Sequence, residues 1–220
     1  EAVRKGKVAK GKEPKWKDEY IPLMKEHDVP DWYIKSCEKI KYMFPKAHAA
    51  AYVTNAFRIA WFKVHIPLAY YAAYYSIRAK AFDAQYMIFG KEKVKNKMKE
   101  IEMKNQKKEA TKAELDMYDD LEIVLEMYER GFEFLPVDIY ESEASKFKIQ
   151  DNKLRPPLNS IPGFGTVAAQ GIVNARKDGK FMSIDDLKIR AKIGASGAEL
   201  LKQFGCLEGM SQSNQLSLFG

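Results

Sequence analysis

A lysine and a histidine at the opening of a helix can hold an anion, and Lys46 and His48 stand in that position. Pro45 pushes the residue before it out of the helical region, so one helix is expected to end at Phe44 and an alanine-rich one to begin just after it. The first-turn N–H groups of the new helix lack intrahelical acceptors and point outward. With Tyr42 one turn before the break, Lys46 and His48 make a cradle suited to a nucleotide. A proline-separated helix pair with Lys46 simply solvated accounts for the same residues.

A second anion-binding chemistry is written in glycine. Leu158-Asn159-Ser160-Ile161 runs into Pro162-Gly163-Phe164-Gly165, and a helix follows from Thr166 to about Lys177. A weaker copy follows: a helix over Ser183 to Ala191, a turn Lys192-Ile193-Gly194-Ala195, and a helix from Ser196 to Phe204. A turn whose N–H groups face one phosphate needs positive φ and no side chain in the way. The candidate duplex contacts are therefore Gly163, Phe164, Gly165, Thr166, Gly194 and Ser196, reading backbone shape rather than base sequence. Ser183 with Asp186 and Ser196 with Glu199 have capping-box spacing, and Gly205 is a helix stop.

The third signal is the chain end, Gln215-Leu216-Ser217-Leu218-Phe219. Large apolar residues after a small, polar stretch (208–214) read as a docking peptide on a linker, or as a plain chain end.

Metal chemistry is not legible. Cys37 and Cys206 lie far apart with no ligand spacing, His27, His48 and His65 do not cluster, and Asp-x-Asp occurs nowhere. Asp119-Asp120 and Asp185-Asp186 fall in expected helices, as solvated or capping residues. No metal ligand and no catalytic residue is assigned in this segment.

These residues need a mainly α scaffold. Short helices are expected from Asp18 to Glu26 and from Trp32 to Met43, the second with Tyr33, Cys37, Ile40 and Phe44 on one face. The helix from Lys46 to His65 lines up Ala50, Thr54, Phe57, Trp61 and Val64, and Pro67 opens the next, to about Ala81. Its Tyr70, Tyr71, Tyr74 and Tyr75 form a stripe that reads as core or as a base-stacking surface. Residues 91–109 are highly charged over a thin stripe of Val94, Met98 and Ile101. A Thr111/Glu114 capping box then opens a helix that ends at Gly131. Two short strands are expected, Phe134 to Tyr140 and Lys146 to Ile149, with turns at Glu141–Ser145 and Asp151-Asn152. The divisions are 1–130, 131–154, 155–207 and 208–220.

Charge supports two basic ends. Residues 1–48 hold 12 Lys and Arg against 8 Asp and Glu, residues 49–150 hold 16 of each, and residues 151–220 hold 9 against 6. The net +7 suits a partner with phosphates, and residues 1–17 read as a mobile basic loop or a solvated linker. No apolar run approaches the roughly 20 residues of a membrane span. The N-terminus is no secretory signal and lacks Met, as in a piece of a larger protein.

The wording of these segments adds a resemblance. YMFPKAHAAAYV at 42–53, followed by RIAWFKVHIPL at 58–68, resembles the fingers region of bacterial C-family replicative polymerases, PolC-type DNA polymerase III in particular. FEFLPVDIYESEASKFKI at 132–149 resembles the short β segment leading from fingers to duplex-binding domain in that family. The two hairpins resemble the tandem helix-hairpin-helix fold, and QLSLF resembles the sliding-clamp-binding pentapeptide of bacterial polymerases. Residues 82–130 add little to the resemblance.

The resemblance implies template-directed, Mg2+-dependent nucleotidyl transfer by the whole enzyme in the bacterial cytoplasm. Tyr42 and His48 would line the nascent base-pair pocket, with Lys46 nearby. The partners would be primer-template DNA, an incoming deoxynucleotide, a sliding clamp and the remaining polymerase domains, with no membrane. The metal-holding carboxylates belong to the family's palm, which precedes this segment, so the piece alone is expected to be inactive. Other readings are a non-enzymatic helix-hairpin-helix module of a repair or recombination protein, a clamp-binding adaptor, or a DnaE-type polymerase fragment. Modules of the first kind do not carry YMFPKAHAAAYV, and the order of segments fits PolC-type enzymes better than DnaE-type ones.

Overall fold

The structure, a computed structural model, describes residues 1–43 and 45–213. It divides into two compact units, residues 1–60 and residues 61–220. It is mainly helical, with one two-stranded antiparallel sheet among the described residues.

In the first unit, residues 1–17 are built from hydrogen-bonded turns and are not a mobile loop. Val8 and Trp16 are buried with Ile34 and Cys37, so apolar residues hidden among the lysines tie the segment down. A π-helical turn, Trp16–Tyr20, leads into α1 (Ile21–Glu26), and Trp16 donates its indole N–H to Glu38 (3.0 Å). Helix α2 (Asp31–Lys39) buries Ile34 and Cys37, while Tyr33, expected on the inner face, is exposed. It also stops short of Met43. Residue 40 is extended, and the Met43 N–H donates to the Arg4 carbonyl (3.0 Å), a bond the helix could not allow.

Helix α3 (Lys46–His65) opens where Pro45 predicts, and the Ala49 N–H donates to the Pro45 carbonyl (3.0 Å). None of its residues is buried; Phe57, Trp61 and Val64 of the expected stripe are all exposed.

The second unit has two apolar clusters. Helices α4 (Pro67–Ile77), α5 (Ala84–Met87), α6 (Lys91–Gln106) and α7 (Lys112–Glu129) build the first. Tyr71 and Tyr75 are buried, and Tyr75 packs against Phe82, Phe134 and Phe147, so the tyrosine stripe is core. Helix α4 ends four residues before the expected Ala81. The buried carboxylate of Asp120 accepts the N–H groups of Lys80 (2.9 Å) and Ala81 (2.8 Å) and the Tyr74 hydroxyl (3.3 Å), holding the exit loop. Burial pushes the Asp120 carboxyl up, and those three donors pull against it. The Thr111/Glu114 capping box forms as expected, and Gly131 takes positive φ just after α7.

The sheet consists of β1 (Lys148–Gln150) and β2 (Lys153–Arg155), turning at Asp151 and Asn152 with φ of 50° and 57°, as a tight hairpin requires. The expected strand from Phe134 to Tyr140 is absent beyond a single bridge from Phe134 to Leu154. Pro136 lacks a donor, and the Asp138 carboxylate accepts the N–H groups of Tyr140 (2.7 Å) and Glu141 (2.9 Å), which curls the chain into a turn.

The second cluster lies beneath the two glycine turns. It gathers residues of α8 (Thr166–Ala175), α9 (Ile184–Ala191) and α10 (Ala195–Gln203) with Val137, Ile139 and Leu158.

Candidate nucleic-acid interface

The first hairpin opens with a single 3-10 turn, Leu158–Ser160, with Leu158 and Ile161 fully buried. Gly163 then takes φ +78°, a conformation that admits few other residues. Phe164 is buried (4% exposed) and its N–H donates to the Ile161 carbonyl (3.0 Å). Its ring belongs to the core beneath the turn; the duplex-contact expectation therefore reduces, at this residue, to holding the loop in shape.

Gly165 is the N-cap of α8, in an extended conformation (φ −71°, ψ 152°), and no side chain caps the helix. Among the described residues a Cβ added there would meet nothing within 4 Å. The first-turn N–H groups of α8 thus face open space, and Gly163, Gly165 and Thr166 are exposed. The Thr166 hydroxyl oxygen accepts from the Asn159 amide (3.1 Å), which leaves its own proton to donate outward.

The second hairpin repeats the path with different residues. Ser183 N-caps α9, accepting the Asp186 N–H (3.1 Å), while Asp186 reaches back to the Met182 N–H (3.0 Å). Lys192 occupies the place of Gly163 and is left-handed (φ 54°, ψ 43°). Ile193 is buried in the place of Phe164, and Gly194 N-caps α10 in the place of Gly165. The expected Ser196/Glu199 capping box does not form. The helix starts one residue earlier, at Ala195, so Ser196 sits inside the first turn, exposed, with Gly194 as a bare cap.

Close packing holds the two hairpins. A Cβ on Gly171 of α8 would stand 2.2 Å from the Ala191 carbonyl oxygen, and one on Gly197 of α10 would press on the Phe164 ring at 3.3 Å. The stretch after Leu207, expected to be a linker, is held as far as Gln212. The carbonyls of Ser211 and Gln212 accept the N–H groups of Ile184 (2.9 Å) and Asp185 (3.1 Å), supplying acceptors to the α9 start. Residues Gln215, Leu216, Ser217, Leu218 and Phe219 lie outside the described residues.

One carboxylate borders this surface. Asp83 lines the cleft beside the Pro162–Gly165 turn and caps α5 by accepting the Gln85 N–H (2.8 Å). Burial raises its pKa, and the Gln85 N–H pulls the other way.

The expected nucleotide cradle is in the first unit. Lys46 and His48 stand in the first turn of α3, and all three of Tyr42, Lys46 and His48 are exposed. The His48 ring lies 4.4 Å from that of Tyr52, one turn on. Sequence reasoning missed what backs Tyr42. Gly6, at φ +67°, packs so closely on the chain before the break that a Cβ would stand 1.9 Å from the Lys41 carbonyl oxygen, and Arg4 interacts with Tyr42. The signal was a glycine inside a basic run. Among the described residues no group of three or more His, Cys, Asp or Glu is placed to hold a metal ion, and no helix is long and apolar enough to cross a membrane.

Comparison with known proteins agrees with this geometry. The family described as "Helix-hairpin-helix motif" matches residues 131–216. The chain is 51% identical over 219 residues to a protein of Oceanobacillus iheyensis, and 52% and 49% identical over the same length to proteins of Bacillus subtilis and Streptococcus sanguinis. All three are named "DNA polymerase III PolC-type", and the match takes in 100% of this chain. It spans 15% of the length of each relative. With half its residues shared along its whole length, the chain belongs, as a segment, to the PolC-type DNA polymerase III family.

Proposed function

We propose that this chain is the part of a bacterial replicative DNA polymerase that grips the primer-template duplex and borders the incoming nucleotide. The observation that carries the reading is the pair of helix starts, α8 and α10, each N-capped by a bare glycine after a residue of positive φ. Such starts offer main-chain donors and the positive helix end to a phosphate without contacting a base. A polymerase must hold any sequence, and backbone contacts of this kind do so.

The further roles follow from the family. Tyr42 and His48 line the nascent base-pair pocket, with Lys46 near the nucleotide phosphates. Gln215 to Phe219 tether the enzyme to a sliding clamp in the cytoplasm. The remaining polymerase domains cover the apolar side chains that α3 exposes, since the chain is 15% of its relatives' length. Mg2+ serves nucleotidyl transfer in the whole enzyme. The residues described here do not converge on a metal, so no step is assigned to them through it.

Duplex binding by the 220-residue chain tests the reading. Affinity should be equal across a panel of unrelated sequences and fall linearly on a log–log plot against salt. A strong preference for one sequence, or an affinity that ignores salt, would refute it.

A further inference from the structure

The two hairpins are not equivalent in charge. At the turn position where the first has Gly163, the second has Lys192, at φ 54°. A glycine adopts that conformation without penalty and a lysine does not, so the side chain stands there at a local cost.

The other cations of α9 are committed. Lys188 pairs with Asp185 (3.1 Å). Arg190 pairs with Asp186 (3.3 Å) and donates to the carbonyls of Ala175 (2.6 Å), Gly179 (3.0 Å) and Lys180 (3.0 Å). Lys192 is exposed and forms no ion pair among the described residues. Next to it Ile193 is anchored in the core, and among the described residues a Cβ on Gly194 would meet only the Ser196 hydroxyl, at 4.0 Å, which leaves the approach to the α10 start open.

We propose that Lys192 is the phosphate-binding cation of the second hairpin, supplying from its side chain what the first hairpin supplies from main chain alone. This rests on the duplex reading above. A purely structural lysine is the competing account, since a cation just past a helix C-terminus also complements its dipole.

The two accounts differ in sign for one substitution. Lys192→Gly relaxes the left-handed residue and should raise the melting temperature of the 220-residue chain. If the side chain meets a phosphate, the same variant should bind a labelled duplex roughly tenfold more weakly, and its log–log salt slope should be shallower by about one. Lys192→Asn, which tolerates the left-handed region but carries no charge, should lose as much, and Lys192→Arg should bind nearly as the parent does. Parental affinity and slope in both neutral variants, with Gly165→Val still weakened, would overturn the role of Lys192 and leave the duplex reading standing. Failure of the parent chain itself to bind duplex would overturn both.

Discussion

The carbonyl oxygen of Ala191 lies 2.2 Å from where a Cβ on Gly171 would stand, so helices α8 and α9 cross with backbone against backbone. No rotamer change relieves that clash, because the obstructing atom is main chain. Gly171→Ala should therefore force the helices apart and lower stability by roughly 1–3 kcal/mol, despite alanine's better helix propensity. Chemical denaturation of the two chains decides it; a variant as stable as the parent would mean that the crossing yields without cost.

Gly163 and Gly165 should separate folding from binding. Gly163 has φ +78°, so Gly163→Ala carries backbone strain of about 1 kcal/mol and should lower the melting temperature. Gly165 is extended with no atom of the described residues within 4 Å of an added Cβ, so Gly165→Val should leave the fold intact while filling the space before the α8 N–H groups. Duplex affinity of Gly165→Val should fall for every sequence alike, with the cooperative fold kept and only the small melting shift of a poorer N-cap. Unaltered binding would show that no phosphate comes close to this cap.

How far the sequence spoke depends on whether the deciding interaction was local. Pro45, the Thr111/Glu114 box, Asp151-Asn152 and the glycine turns act within a few residues, and each formed where its chemistry says. Lys41 to Met43 kept a helical pattern but lies outside the helix, because Arg4 and Gly6, far back in the chain, claim its backbone. Phe134 to Tyr140 alternates like a strand, yet Pro136 and the Asp138 side chain outcompete the ladder. Tertiary partners of this kind leave no periodic trace. The same holds at the site. Gly163 and Gly165 were legible from spacing, whereas the left-handed Lys192 and the hydrogen bond from Asn159 to Thr166 needed the fold to be seen.

Asp120 should give stability a pH dependence of known sign. Burial raises its folded pKa above the ordinary 3.8, so the native state binds the proton more tightly than the unfolded chain. Its contribution is full below 3.8 and declines as pH rises from there through the folded value. Asp120→Asn has no such titration. The stability difference between parent and variant should therefore move in the variant's favour as pH rises through that window, and level off above it. Asp120→Ala should cost roughly 1–3 kcal/mol per orphaned donor at every pH, since Lys80 and Ala81 lose their acceptor. A parent that gains stability relative to Asp120→Asn with rising pH would reverse the sign and refute the account.

His48 should report on the nucleotide. In the intact polymerase, His48→Ala removes one polar contact at the α3 start, worth about 1–3 kcal/mol if it meets the nucleotide. KM for the incoming deoxynucleotide should rise, with duplex affinity barely changed because the hairpins are untouched. Steady-state kinetics with KM and kcat both at parental values would remove His48 from the pocket.

The chain end makes the most separable claim. Leu218 and Phe219 follow a polar stretch, and within that stretch the Ser211 and Gln212 carbonyls accept from the α9 start. Each large apolar side chain moved from water into a pocket contributes roughly 1.5–3 kcal/mol. Replacing both by alanine should weaken binding of a 208–220 peptide to a sliding clamp by two or more orders of magnitude, at about 1.4 kcal/mol per tenfold. In the 220-residue chain the same replacement should leave duplex affinity unchanged, because the anchors on α9 are main-chain carbonyls upstream of it. Titration of a clamp with parent and doubly substituted peptides settles the point. Equal binding by both, or none by either, would show that this segment is not a clamp ligand, and a fall in duplex affinity would instead place Leu218 and Phe219 in the hairpin domain.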